Sequence, residues 1–161
     1  MGLKSLFQKK QPAAVAAPLA GTLIPAAEIG DPTFAEQILG MTLGIRPAEG
    51  RILAPMDGIV TSVFDTRHAV CLTGKSGAEL LIHVGIDTVS LNGAPFTAHV
   101  ADGAAVRQGD LLLTFDPQAI EAAGLSATTV LVLTNADDFP QAAPIAPGPV
   151  QAGDPILLLH W

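Results

Sequence analysis

The sequence predicts a mostly β domain built as one sandwich or barrel, and three observations carry that prediction. Sixteen glycines and thirteen prolines among 161 residues are spread between short apolar runs, the spacing of many short strands and turns rather than of long helices. Two strand-entry motifs occur twice each. Ala17-Pro18-Leu19-Ala20-Gly21-Thr22-Leu23 matches Ala54-Pro55-Met56-Asp57-Gly58-Ile59-Val60, and Val106-Arg107-Gln108-Gly109-Asp110 followed by Leu111 to Leu113 matches Val150-Gln151-Ala152-Gly153-Asp154 followed by Pro155 to Leu157. A motif repeated only twice argues for duplication inside one domain rather than for a solenoid. Finally, Thr73-Gly74-Lys75-Ser76-Gly77 separates the apolar runs HAVCL and ELLIHV, the signature of a β-hairpin with a short loop.

Taken in order, the chain opens with Met1 to Gln11. There Leu3, Leu6 and Phe7 stand at helical spacing with Lys4, Lys9 and Lys10 elsewhere. The segment has no continuous apolar core and does not read as a signal peptide. The myristoylation pattern fails at Leu6. A helix formed on an anionic membrane surface and a disordered tail are equal readings for so short a segment. Residues 11–20 read as a linker entering the first strand, so residues 1–16 are expected to be a flexible tail and 17–161 the folded domain. Asp31 to Gly40 reads as a short helix, with Asp31 as N-cap, Pro32 at the first helical position and Gly40 at the end. Pro117 to Gly124 is a second, with Asp116 as cap and Gly124 as stop.

Net charge is −7, and no Lys/Arg cluster follows residue 10, which excludes the nucleic-acid backbone as an expected partner of the body of the chain. An acidic surface suits a basic protein partner. Cys71 is the only cysteine, so neither an internal disulfide framework nor a cysteine zinc knuckle can form, and a reducing cytoplasm is the expected setting. As a small hydrophobe in a strand, Cys71 needs no further role. No apolar run approaches the length of a membrane span.

The stretch from Thr61 to Val89 carries the chemistry. If the hairpin is symmetric about a point between Lys75 and Ser76, partners sum to 151 and His68 stands opposite His83, on one face with Val70, Leu72 and Leu81. Ala69, Cys71, Leu80, Ile82 and Val84 then take the other face. Directly opposite residues have Cβ atoms roughly 5 Å apart, and a one-residue shift would separate them. Two close neutral imidazoles fit three roles: a phosphoryl acceptor with a hydrogen-bonding neighbour, a pair of metal ligands one short of the usual catalytic three, or satisfied core histidines. Asp65, Thr66, Gly85, Asp87 and Thr88 gather at the same end and favour transient handling of phosphate. The Gly85 carbonyl is near enough in sequence to orient the His83 ring.

From these residues a resemblance follows. His83-Val84-Gly85-Ile86-Asp87-Thr88-Val89 after Glu79-Leu80-Leu81-Ile82, with Thr66-Arg67-His68-Ala69 fifteen residues upstream, is similar to the glucose-family IIA proteins of the bacterial phosphoenolpyruvate-dependent sugar phosphotransferase system. Phe34-Ala35-Glu36, Gly44-Ile45-Arg46-Pro47, Ala54 to Gly58 and Val106 to Asp110 extend the match over residues 17 to 160. The resemblance implies an all-β fold, a compact β-sandwich with a duplicated strand motif and short helical turns. It implies that His83 accepts a phosphoryl group from the histidine phosphocarrier protein and passes it to a cysteine of a permease IIB domain, that His68 stabilises the group, and that Thr66 supports by hydrogen bonding. Asp31 and Asp87 then meet basic partner residues, and Phe34, Ile38, Leu39, Phe64, Leu81 and Val84 form an apolar docking surface.

It further implies no intrinsic cofactor, a regulatory binding role for the unphosphorylated form toward transporters or enzymes, and a zinc shared between His68, His83 and a partner carboxylate only in such a complex. Thr33, Leu81 and Arg67 depart from the family pattern, Arg67 standing where Asn is usual. The alternative function is a zinc-dependent hydrolase of a related duplicated β fold, which lacks its His-x-His pair here. A biotin or lipoyl carrier is suggested by the repeated turns, but Lys75 has none of the flanking residues of such modification sites. His99 and His160 match no functional motif.

Overall fold

In the computed structural model, residues 13–160 are described, and the reading of Met1 to Gln11 lies outside them. Fourteen strands follow in chain order: β1 (Ala13–Ala16), β2 (Gly21–Pro25), β3 (Met41–Pro47), β4 (Arg51–Leu53), β5 (Gly58–Val63), β6 (Ala69–Gly74), β7 (Glu79–Val84), β8 (Phe96–Ala98), β9 (Ala105–Val106), β10 (Leu111–Phe115), β11 (Thr129–Leu133), β12 (Ala143–Pro144), β13 (Gly148–Val150) and β14 (Pro155–His160). The helices are α1 (Pro32–Ala35) and α2 (Pro117–Ala122), with short 3-10 turns besides. One sheet has eight strands in the order β13-β2-β3-β11-β7-β6-β5-β9, flanked by the three-stranded sheets β1-β14-β12 and β4-β10-β8. The expected all-β sandwich is the fold observed.

The duplication is visible atom by atom. Val150 pairs with Gly21 across β13 and β2, and Val106 pairs with Gly58 across β9 and β5. The Arg107 amide donates to Asp110 Oδ2 at 2.8 Å, and the Gln151 amide to Asp154 Oδ2 at 2.8 Å. Gly109 and Gly153 both sit at φ 94, a conformation only glycine adopts without strain. The fold demands the V-x-x-G-D turn twice because each turn carries an edge strand into a core strand.

Three expectations change. Ala13 to Ala16 are not a tail but a strand against β14, with Val15 fully buried; a run of small apolar residues can fill a sheet edge as well as a linker. The helix expected over residues 31–40 ends at Ala35. Asp31 does cap it, its carboxylate accepting from the Thr33 amide at 2.8 Å. Gln37 turns left-handed at φ 55, and the amides of Gln37 and Ile38 donate to the carbonyls of Phe34 and Thr33, a helix-ending pattern usually built on glycine.

The hairpin register also differs. Gly74 and Ala78 close the turn, Gly77 takes φ 90, and the loop has three residues rather than an even number. Partners therefore sum to 152, and His83 stands opposite Ala69. On β6, Ala69 and Cys71 share the His83 face with Leu81, while Val70 and Leu72 join Leu80, Ile82 and Val84 in the main core. Both faces of β6 and β7 are apolar and both strands are interior, as the pattern predicts.

Candidate functional site

His83 belongs to β7, and His68 does not belong to β6. Arg67, at φ 56, turns the chain within the β5–β6 connection, where its amide donates to the Phe64 carbonyl at 2.7 Å. His68 lies just before the ladder begins, free of the pleat that would put it on the far face. Its ring swings over the His83 face, and the two imidazole centroids are 4.9 Å apart at 84°. The pair expected from a symmetric register thus forms through the connection instead.

Each ring is held on one nitrogen. His83 Nδ1 is 2.8 Å from the Gly85 carbonyl oxygen, which can only accept, so Nδ1 carries the proton and Nε2 keeps its lone pair. Gly85 can aim its carbonyl back because it adopts φ 79; a Cβ there would lie 2.3 Å from Thr88 Cγ2. Thr88 is itself fully buried and its hydroxyl donates to the Val84 carbonyl at 2.5 Å, pinning the turn. His68 Nδ1 shares a 2.5 Å hydrogen bond with the Thr66 hydroxyl, which leaves its Nε2 toward the site.

Aromatic rings wall the pair. Phe34 from α1 stands 5.1 Å from His83, Phe64 meets His68 edge-on at 5.4 Å, and Phe96 lies 6.4 Å from His68. This apolar setting keeps both rings neutral. Burial, reinforced by the neighbouring His83, holds His68 down to about 4 from its ordinary 6.5. Burial also lowers His83, opposed by the Gly85 carbonyl and by the carboxylates Asp31 and Asp87. The two carboxylates expected at the rim therefore do act electrostatically on His83.

Of the apolar residues expected to ring the pair, Ile38, Leu39 and Phe64 are exposed, at 65%, 44% and 38%. Val84 is not part of it: fully buried, it points through the sheet into the main core, because alternate residues of a strand face opposite sides. Leu81 lies on the correct face but beneath the surface, at 9% exposure. Phe96 carried no sequence signal, since a lone apolar residue in a short strand reads as core. His99 is exposed and bonds Thr114 Oγ1 through Nε2 at 2.9 Å, away from the pair.

No group of three or more His, Cys, Asp or Glu side chains able to hold a metal occurs among the described residues. No described helix is long and apolar enough to cross a membrane.

Comparison with known proteins places the chain in one family. Residues 13–139 match the family described as the phosphoenolpyruvate-dependent sugar phosphotransferase system, EIIA 1. The chain is 51% identical over 142 residues to the beta-glucoside-specific EIIBCA component of Dickeya chrysanthemi, covering 88% of this chain and 22% of that longer protein. It is 40% identical over 155 residues to the glucose-specific EIIA component of Oceanobacillus iheyensis, covering 94% of each. The solved glucose permease IIA from Mycoplasma capricolum superposes with a TM-score of 0.87 at 33% identity, covering 93% of this chain and 97% of that one. Nothing in these similarities supports a zinc hydrolase.

Proposed function

The chain belongs to the EIIA 1 family of the phosphoenolpyruvate-dependent sugar phosphotransferase system, and from that premise we propose that His83 Nε2 is its phosphoryl-carrying atom. The observation that carries this is the 2.8 Å contact between His83 Nδ1 and the Gly85 carbonyl, which leaves the other nitrogen of a neutral ring as the nucleophile. In the transfer, the Nε2 lone pair forms a bond to phosphorus as the bond from phosphorus to the donor histidine breaks, its electron pair staying with that donor. The His83 ring becomes formally cationic while Nδ1–H still donates to Gly85. Asp31 and Asp87, which favour the charged ring, stabilise that form.

His68 acts on the phosphoryl oxygens. Its Nδ1 is engaged by the Thr66 hydroxyl, and this role requires the tautomer in which that hydroxyl donates, so that the single proton of neutral His68 sits on Nε2 and donates to the developing negative charge. The donor is the histidine phosphocarrier protein and the acceptor a IIB cysteine. Relatives that carry EIIB, EIIC and EIIA in one name support a IIB partner. The exposure of Ile38, Leu39 and Phe64 supports docking, and phosphate on His83 adds charge there and opposes any regulatory complex of the unphosphorylated form. In such a complex His68 and His83 are the two residues that would hold a zinc, with the remaining ligand from the partner.

Incubation with phosphoenolpyruvate, the first enzyme of the system and the phosphocarrier should label the wild-type chain, and His83→Ala should stay unlabelled. His68→Gln should accept the label but deliver it poorly. A wild-type chain that never labels would overturn the proposal, and normal delivery by His68→Gln would remove the role given to that residue.

A further inference from the structure

A second concavity lies at the other end of the β6–β7 hairpin, roughly 20 Å from the histidines by the length of the strands between them. It encloses about 470 Å³ and is lined by Gly58, Ile59, Thr73, Gly74, Lys75, Ala105, Val106, Arg107 and Asp110, a volume within the usual range for small-molecule sites. Its wall is apolar, and Ile59 remains 45% exposed on it. Five Lys and Arg side chains occur among the described residues, Arg46, Arg51, Arg67, Lys75 and Arg107, and two of them meet at this one cavity. Among the described residues neither is in an ion pair, the pair found there joining Arg51 to Glu49. In a chain of net charge −7 that concentration is local.

The internal duplication supplies a control. The same turn and the same pairing recur around Gly21 and Val150, so the fold's own requirements can be read from both copies. There Thr22 takes the place of Ile59 and Gln151 that of Arg107. Ala48, whose amide bonds the Ala20 carbonyl as Lys75 bonds that of Asp57, takes the place of Lys75. One copy thus builds the turn with neither lysine, arginine nor isoleucine at these three positions, its own arginine, Arg46, standing opposite Thr22 where Thr73 stands opposite Ile59. The architecture therefore does not demand Ile59, Lys75 or Arg107, and structural necessity does not explain them.

We propose that this cavity binds a small phosphorylated polyol, with the phosphate between Lys75 and Arg107 and the C–H face of the polyol on Ile59. Two cations suit a dianion, and the arginine fork suits phosphate oxygens. The Thr73 hydroxyl and the Asp110 carboxylate, of which only Oδ2 is engaged by the Arg107 amide, offer partners to hydroxyl groups. The carboxylate also disfavours a bare anion, so the polyol adds affinity that inorganic phosphate lacks.

The test is an amide NMR titration of the intact chain with glucose 6-phosphate, glucose and inorganic phosphate in separate arms at constant ionic strength. Glucose 6-phosphate should give saturable shifts at Ile59, Thr73, Lys75, Ala105 and Arg107. Glucose and inorganic phosphate should bind about tenfold more weakly or less. The double variant K75Q/R107Q, altered only at exposed side chains, should lose at least about tenfold in affinity while still accepting phosphate on His83, so this site and the phosphoryl site are judged separately. No saturable shift by about 10 mM glucose 6-phosphate, equal binding of inorganic phosphate, unchanged affinity in K75Q/R107Q, or shifts centred on His68 and His83 would each overturn the proposal.

Discussion

Replacing His68 by glutamine should change how the protein loses stability in acid. In the folded chain burial and the His83 neighbour hold the His68 ring near 4, against 6.5 ordinarily. Between those values the unfolded chain binds a proton that the native chain does not, so unfolding is favoured as pH falls. The sign follows: the contribution of neutral His68 is whole above pH 6.5 and declines as pH drops toward 4. By pH 4 the loss amounts to about 3 kcal/mol, taking 1.36 kcal/mol per pH unit over the interval. For a domain of this size that is about 6 to 12 °C in melting temperature. Thermal unfolding of wild type and His68→Gln at intervals from pH 7 to pH 4 measures it, since the carboxylates contribute alike to both. The wild-type curve should fall more steeply below pH 6.5, so that by pH 4 its stability relative to the variant has dropped by about 3 kcal/mol from the value at pH 7. Parallel curves would refute a neutral, desolvated His68 and with it the hydrogen-bond donor assigned to the phosphoryl group.

Other variants test the supports of the pair. Gly85→Ala places a Cβ 2.3 Å from Thr88 Cγ2 at φ 79 and should cost about 2 kcal/mol or more in urea unfolding, with slower phosphoryl acceptance because the carbonyl no longer meets His83 Nδ1. Thr66→Val keeps the shape but removes the hydroxyl on His68, and single-turnover delivery should fall about tenfold or more with acceptance little changed. Asp31→Asn removes a charge that raises His83, so the His83 titration followed by NMR should move to lower pH.

Pattern alone located the hairpin, both motif duplications, the Asp31 cap and the Gly124 stop, because each depends on local chemistry. Asp116 Oδ1 accepts from the Ala119 amide at 3.1 Å, and Gly124 takes φ 80, as their residue types require. The register of the central hairpin was not legible, since one left-handed glycine, Gly77, decides between an even and an odd loop. That single residue exchanges the faces of Ala69, Val70, Cys71 and Leu72. The histidine pair survived the error because His68 sits in a connection whose left-handed residue is an arginine, a type that gives no turn signal. Of the residues expected to form a docking rim, Ile38, Leu39 and Phe64 are exposed, whereas Val84 obeys the pleat and is core. The unequal roles expected of the two imidazoles came from family resemblance, and the carbonyl behind His83 Nδ1 is the physical support on which the proposed asymmetry rests.

The central claim is that one nitrogen of one histidine carries the phosphoryl group, and the regiochemistry of the phosphorylated chain tests it most directly. In ¹⁵N-labelled protein phosphorylated through the phosphocarrier, phosphorus–nitrogen coupling should appear at His83 Nε2, with Nδ1 still protonated against Gly85. Coupling at His83 Nδ1, or at any other histidine, would contradict the account.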